Sequence, residues 1–405
     1  MTQIAVNNVV SQLEQSKCSG CRSCEYSCPQ HCIALNENEE GFLYPQIDSP
    51  RCTQCGICVK HCPQLIETIT PGTHLDPVQA YTMNLKDKTQ LAKSSSGGFF
   101  AGLATFVLNQ KGVVFGCAFD KQFRVYHTFI ESMADLSTLQ GSKYVASDLK
   151  DVYPQVKQFL RAGRLVLFSG SPCHVAGLKA YLGCPFENLI TADVICHGTP
   201  SPKLFRKYLE WQGHRLGGRI ERFRFRDKTR VAWGLGGSIG TYKKEQILNP
   251  YCDPYYATFL RGETYRLSCY QCKYANPNRE GDFTMGDYWG IKKNASSCFC
   301  PQGNSIVFVN TSQAQTILPQ LESFFNMDSV SFEHAVTDNE NFLVPMSYPP
   351  VRDAIYQNLN SMSFDLLQKK ILLHENLILW HFRRWRRKLM PRVFRHWMNH
   401  FLRRS

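Results

Sequence analysis

Eight of the nine cysteines in the first 62 residues constrain this chain more than anything else in it. They fall in two runs, Cys18-x-x-Cys21-x-x-Cys24-x-x-x-Cys28-Pro29 and Cys52-x-x-Cys55-x-x-Cys58-x-x-x-Cys62-Pro63. Three thiolates at this spacing wrap three corners of a 4Fe–4S cube, and the fourth, before proline, reaches the neighbouring cube. The arithmetic predicts two sites with crossed ligation: Cys18, Cys21, Cys24 and Cys62 on one cluster, Cys52, Cys55, Cys58 and Cys28 on the other. Zinc ribbons use paired Cys-x-x-Cys units rather than triplets with a trailing Cys-Pro. Disulfide frameworks belong to small secreted chains. Single electrons are therefore expected to pass through the N-terminal part.

The chain has 405 residues and 18 cysteines, enough for two or three domains with a sizeable core. The first residues show no apolar stretch of signal length, and thiols so numerous suit a reducing, cytoplasmic setting. No apolar run is long enough to span a bilayer. Of the formal charge of +13, nine units come from Arg and Lys after Trp380, where there is no acid, leaving an ordinary +4 for the rest. The basicity belongs to the tail and is not coupled to any nucleic-acid reader module.

The expected organisation is α/β with α+β elements. Residues 1–66 form a ferredoxin-like module with a hairpin between Ile33 and Ile47, and 67–78, with Pro71, Gly72 and Pro77, form a linker. Residues 79–325 form a mixed α/β domain, and 326–405 a helical extension with a basic aromatic tail. In the α/β part a helix is expected over Phe99–Asn109, and strands over Gly112–Ala118, Arg164–Phe168, Ile190–Ile195 and Asn304–Asn310. Further helices are expected over Val175–Leu182, Lys203–Gly213 and Gln313–Phe325. Alternation in Arg222-Phe-Arg-Phe-Arg226 predicts a strand with a basic face. Such a pattern implies a partly parallel sheet with sites at the strands' C-terminal ends.

Ser94-Ser95-Ser96-Gly97-Gly98 before a helix suits a phosphate, because hydroxyls, flexible backbone and a helix N-terminus all favour an anion; a plain capped helix fits the same residues. Gln140-Gly141-Ser142-Lys143-Tyr144 adds a loop with a cation and an aromatic. Cys173, Cys196, Cys269 and Cys272 are candidates for a third cluster, with a zinc site, a redox dithiol or buried thiols as alternatives. His174 and His197 follow two of these cysteines. Asp282-Phe-Thr-Met-Gly-Asp287-Tyr-Trp-Gly290 reads as a glycine-rich turn suited to a planar group, or as an ordinary turn with a core tryptophan. Cys32, beside Cys28-Pro29, reads as a packing residue; Cys252, Cys298 and Cys300 have no assigned role.

The order of these motifs — Lys93-Ser-Ser-Ser-Gly-Gly98, Gly141-Ser-Lys-Tyr144, Gly170-Ser-Pro-Cys-His-Val-Ala-Gly-Leu178, Cys196-His-Gly198, Cys269-Tyr-Gln-Cys272 and Gly286-Asp-Tyr-Trp-Gly290 — resembles the coenzyme F-420 hydrogenase/dehydrogenase beta-subunit family over roughly Cys18 to Phe325. The resemblance implies an FAD-binding α/β domain that exchanges electrons between a two-electron substrate and iron–sulfur clusters. Ser95, Ser96, Gly97, Gly98, Gly141, Ser142, Lys143, Tyr144, Gly170, Ser171 and Cys173 are the implied FAD contacts. Members use either deazaflavin or other organic substrates, so the substrate does not carry over, and no catalytic residue is assigned. An oxidoreductase and an electron-transfer subunit serving a partner protein or small carrier both fit. The tail from Leu377 to Ser405 interleaves large aromatics with arginines, as interfacial helices on anionic membranes do. It could equally pack on its own domain or on a partner.

Overall fold

The computed structural model describes residues 7–67 and 74–372. The expected membrane-binding tail lies outside the described residues, as does half of the expected linker.

The N-terminal module repeats its backbone as well as its cysteines. Strands β1 (Ile33–Glu37) and β2 (Leu43–Ile47) form the expected antiparallel hairpin. Short helices Ser23–Ser27 and Ile57–Lys60 close the two cysteine loops. In each loop the same two positions are left-handed: Gly20 and Arg22 with φ of 70° and 63°, Gln54 and Gly56 with 55° and 72°. Alternating handedness turns successive backbone N–H groups toward one concave side, which makes an anion-binding nest.

The α/β part is built on one eight-stranded sheet. In chain order its strands are β3 (His74–Leu85), β4 (Val113–Phe119), β5 (Val125–Ile130), β6 (Val166–Gly170) and β7 (Leu189–Val194). A separate three-stranded sheet follows, β8 (Arg222–Arg224), β9 (Gly237–Gly240) and β10 (Glu245–Leu248). The large sheet resumes with β11 (Phe283–Asp287), β12 (Ser305–Thr311) and β13 (Phe325–Val330). Its order is β13-β3-β12-β11-β7-β6-β4-β5. The inner four, β11, β7, β6 and β4, run parallel, and the outer pairings are antiparallel.

Strand periodicity splits the core in two. Val113, Phe115, Val166 and Phe168 face helices Val152–Arg161 and Pro172–Leu182. Val114, Leu167, Ile190 and Val307 face helices Phe99–Asn109 and Ser312–Leu321. A third, aromatic core joins Phe205, Tyr208, Phe223, Phe225 and Tyr255 to the C-terminal helices through Ile355, Tyr356 and Phe364.

Several expectations need correction. The strand β3 begins at His74, inside the segment read as linker 67–78, and Pro77 sits opposite the register shift between Val309 and Thr311, where proline's missing N–H costs no ladder bond. The helix expected over Gln313–Phe325 ends at Leu321, and Phe325 opens β13, its ring packed on Phe99 at 5.7 Å. The sheet thus runs past residue 325. The segment read as a glycine-rich turn, Phe283–Asp287, is a central strand.

Candidate functional site

The fold brings the trailing cysteine of each run beside the triplet of the other. Burial pushes the Cys21 thiol up to about 12, and Cys62 and Cys18 add to the shift. Burial also raises Cys24, and Cys21, Cys18, Cys62 and Cys58 add to the shift. In the other set, Cys58 is raised by burial and faces Cys28 and Cys55. Cys32 is buried with its Sγ 3.4 Å from that of Cys28. The first set is wholly buried, whereas Cys55 is exposed and Cys52 half-buried. Thiols that burial keeps protonated give up protons when they take metal, so both sets fit the cubes that their spacing predicts.

Cys173, Cys196, Cys269 and Cys272 are also brought together. Cys173 opens the helix Pro172–Leu182, Cys196 follows β7, and Cys269 and Cys272 lie on and after the turn Leu267–Gln271. Burial raises Cys173, and Cys196, Cys272 and Cys269 add to it. Burial likewise takes Cys196 up to about 12 and Cys272 to about 11. All four line one cavity of about 360 Å³ between the N-terminal module and the sheet. Among the described residues no three His, Cys, Asp or Glu side chains close on a single ion-sized point. Cys252, Cys298 and Cys300 stand apart from this quartet.

A second cavity of about 360 Å³ opens at the C-terminal ends of the parallel strands. Cys117, Ser169, Gly170, Val194 and Asp287 present the ends of β4, β6, β7 and β11 to it. This is the crevice that open parallel sheets use for cofactors. Ser95, Ser96, Gly98, Gly141, Ser142, Lys143, Tyr144, Gly170 and Ser171 line it. Cys173 instead lines the thiol cavity. Gly97 is packed between strands: a Cβ there would lie 2.1 Å from the Met83 carbonyl oxygen and 2.3 Å from the Ser305 nitrogen.

The two polar loops are tied to each other. The Ser142 backbone N–H and hydroxyl both donate to Ser95 Oγ, at 2.8 and 2.9 Å. Gly98, with φ of 87°, begins the helix Phe99–Asn109 with no side-chain cap, leaving its first N–H groups without a capping acceptor. Gly141, also left-handed, has nothing within 4 Å of where a Cβ would stand. Among the described residues His127 Nε2, His174 Nδ1 and Gln140 Oε1 find no partner, although they are buried and belong to side chains lining this space. Burial lowers His174 to about 4 and His127 well below its usual value, so both rings are neutral at neutral pH. Unpaired donors and acceptors around a largely apolar space suit an amphipathic ligand.

Sequence reasoning missed Arg226. It stands beyond β8 and, unlike the exposed Arg222 and Arg224, turns inward. Its guanidinium clamps Asp287 at 2.8 and 3.0 Å and donates to the Ser95 carbonyl at 3.0 Å. Asp287 also accepts from Trp233 Nε1 at 2.9 Å. Trp233 and Trp289 stack with centroids 5.7 Å apart. The Phe-Arg-Phe-Arg alternation put the arginine on a basic strand face, whereas it lies past the strand's end and turns to Asp287.

The two cavities share the wall formed by Cys196, His197, Gly198 and Thr199. Fold and thiol loops together define an iron–sulfur redox protein with an α/β domain. Residues 163–328 match the family model for the C-terminal part of the coenzyme F420 hydrogenase/dehydrogenase beta subunit, and residues 17–66 match the 4Fe-4S dicluster domain. The first match takes in less than half of the chain, and the second the two N-terminal cysteine runs. No curated protein matches it. Among solved structures it is similar to the F420-reducing NiFe hydrogenase complex from Methanosarcina barkeri, studied by xenon derivatization. That alignment covers 74% of this chain and 92% of the other, at 16% identity and a TM-score of 0.44.

Proposed function

We propose that the chain is an FAD- and 4Fe–4S-dependent oxidoreductase that converts between two-electron chemistry at a flavin and one-electron transfer through clusters. The observation that carries this reading is the shared wall: one loop, Cys196–Thr199, borders both the cofactor cavity and the thiol cavity. In this reading Cys18, Cys21, Cys24 and Cys62 hold one cluster, Cys52, Cys55, Cys58 and Cys28 a second, and Cys173, Cys196, Cys269 and Cys272 a third. A flavin, when bound, takes a hydride and gives up electrons singly, whereas each cluster carries one.

The chain's own residues divide the remaining work. Ser95, Ser96 and Ser142 offer hydroxyls, and the helix start at Phe99 offers N–H groups, for the cofactor's phosphates. Tyr144 and Trp289 offer flat surfaces. His127 and His174, neutral and unpartnered at one nitrogen each, can accept a proton or donate a hydrogen bond inside the cavity. The substrate is a soluble organic molecule or a deazaflavin. A pure electron-transfer subunit is the second reading, favoured by the matched family being that of a beta subunit. Anaerobic purification with reconstitution should give about one FAD and roughly twelve iron atoms per chain. Cys269→Ala should remove about four irons and leave the flavin, and full iron without flavin would exclude the first reading.

We further propose that residues 377–405 hold the protein peripherally on anionic membrane at the cytoplasmic face. Each basic residue near such a surface is worth about 1 kcal/mol. Among the described residues no helix is long and apolar enough to cross a membrane. The full chain should co-sediment with anionic liposomes at low salt, and a chain ending near Glu375 should not. Equal behaviour of the two would remove the proposal.

A further inference from the structure

Arg266 is a buried cation without a carboxylate. The other deeply buried arginines each have one: Arg226 with Asp287, Arg279 with Asp193, Arg352 with Glu40. Among the described residues Arg266 forms no such pair, although it is only 4% exposed. Burying a guanidinium unpaired costs several kcal/mol, so an anion is expected beside it.

The geometry shows where that anion belongs. Arg266 Nε donates to the Cys18 carbonyl at 2.6 Å, and Nη2 donates to the Leu43 carbonyl at 2.7 Å and approaches Cys18 Sγ at 3.8 Å. The guanidinium lies over the Tyr44 ring, 4.0 Å from its centroid, with Phe42 at 5.5 Å on the same apolar wall. Gly20 leaves the space: a Cβ there would stand 3.0 Å from Nη1. Behind the side chain, the backbone is fixed to the other thiol group. The Arg266 N–H donates to the Thr199 carbonyl at 3.0 Å, and its own carbonyl accepts from Cys269 N–H at 2.9 Å. One residue therefore spans from the loop carrying Cys269 to the sulfur of Cys18.

A cube held by four thiolates is net anionic and gains a further negative charge on reduction. A fixed cation against one of its sulfurs in a dry site favours the reduced form. Among the described residues the second N-terminal set has no comparable arginine, and its Cys55 is exposed to water, which screens charge.

We propose that Arg266 is a positioning residue that raises the reduction potential of the cluster bound through Cys18, making it the inner electron acceptor between the α/β domain and the outward-facing second cluster. The inference rests on the crossed ligation of the two cysteine runs. It deepens that reading by assigning the order of the two N-terminal clusters.

Redox titration followed by electron paramagnetic resonance tests it on the full, anaerobically reconstituted chain. The signal of the Cys18 cluster is identified first, as the one perturbed by Cys62→Ser. In Arg266→Gln, with iron content unchanged, the equilibrium constant for one-electron reduction of that cluster should fall at least tenfold, about 59 mV. The other N-terminal signal should move less than twofold. Arg266→Lys keeps the charge but cannot bridge Cys18 and Leu43, so it should lose about threefold. A merely structural strut would leave both potentials where they are. An unchanged potential in the iron-replete Gln variant overturns the proposal. Should that variant not assemble, an unchanged potential in the Lys variant does so. If Cys62→Ser instead perturbs the signal that Cys55→Ser perturbs, the crossed ligation fails, and this inference falls with it.

Discussion

Asp253 illustrates how much one buried side chain can commit. It caps the helix Pro254–Leu260, accepting from the Tyr256 N–H at 2.9 Å, and its other oxygen accepts from the Tyr208 hydroxyl at 2.8 Å and Gln212 Nε2 at 3.3 Å. Among the described residues no cation forms an ion pair with it, and burial lifts its carboxyl from 3.8 to about 6. The folded chain therefore keeps a proton that the unfolded chain has already released between about pH 4 and 6. Stability contributed by this group is present below pH 4 and declines as pH rises through that window, by about 1.4 kcal/mol per pH unit. Asp253→Asn, neutral throughout, should lack this slope. Urea unfolding of both proteins from pH 4 to 7 should show the variant gaining on the parent up to about pH 6 and then holding level. A constant difference across the range would show that Asp253 is ionised in the fold. At this scale the sequence was silent. Nothing in Pro-Tyr-Cys-Asp-Pro-Tyr-Tyr distinguishes a dry aspartate from an ordinary N-cap, because its environment comes from Tyr208 and Gln212, more than forty residues away.

Among the elements, the helix Pro172–Leu182 connects the two halves of the molecule. Pro172 sits at its first turn, and Cys173 and His174 follow at the end that faces the cavities. Its middle presents Gly177 to the N-terminal module. A Cβ there would lie 2.5 Å from the Tyr153 hydroxyl, 2.8 Å from Cys21 Cβ and 3.1 Å from Cys21 Sγ. In a free helix Gly→Ala gains up to about 1 kcal/mol. Here Tyr153 cannot yield easily, since its hydroxyl donates to the His174 carbonyl at 2.7 Å, and Cys21 is fixed in its loop. Gly177→Ala should instead cost about 1–3 kcal/mol, seen as a lower melting temperature with faster iron loss. A stabilised variant would mean that the module shifts freely on this helix. The helix Phe99–Asn109 and β4 were legible in sequence, because Gly98 and Gly112 punctuate apolar runs of the right lengths. The strand β11 was not. Phe-Thr-Met-Gly-Asp has no β-branched run, and Gly286 is there because Ile195 of the neighbouring segment leaves no room, 2.7 Å from a Cβ. The gathering of the N-terminal cysteines was legible because the two runs repeat one spacing. The cavity at the strand ends was legible only as loops, since its closure depends on Arg226 gripping a strand end about sixty residues on.

At the scale of the whole molecule, the N-terminal module is seated with one cysteine set inward and the other outward. Arg22 bonds Asp148 at 2.8 Å, Arg352 bonds Glu40 at 2.6 Å, and Gln64 reaches Tyr274 at 3.2 Å. These contacts press the loop of Cys18 and Cys21 against the helix Pro172–Leu182 and the turn before Cys272. Cys52 and Cys55 lie on the far side, half-buried and exposed. Buried thiolates are shielded from chelators and oxidants, and exposed ones are not. Iron removal by a chelator should therefore be biphasic. About four irons leave quickly in a phase that Cys55→Ala abolishes, and the remainder leave at a rate set by opening of the module from the sheet. Arg352→Met, which strands Glu40 and loosens the seat, should accelerate the slow phase severalfold without touching the fast one. A single phase for all the iron, or acceleration of both phases together, would mean that the two sets are equally open to solvent, and that the outward set is not the point at which electrons leave the protein.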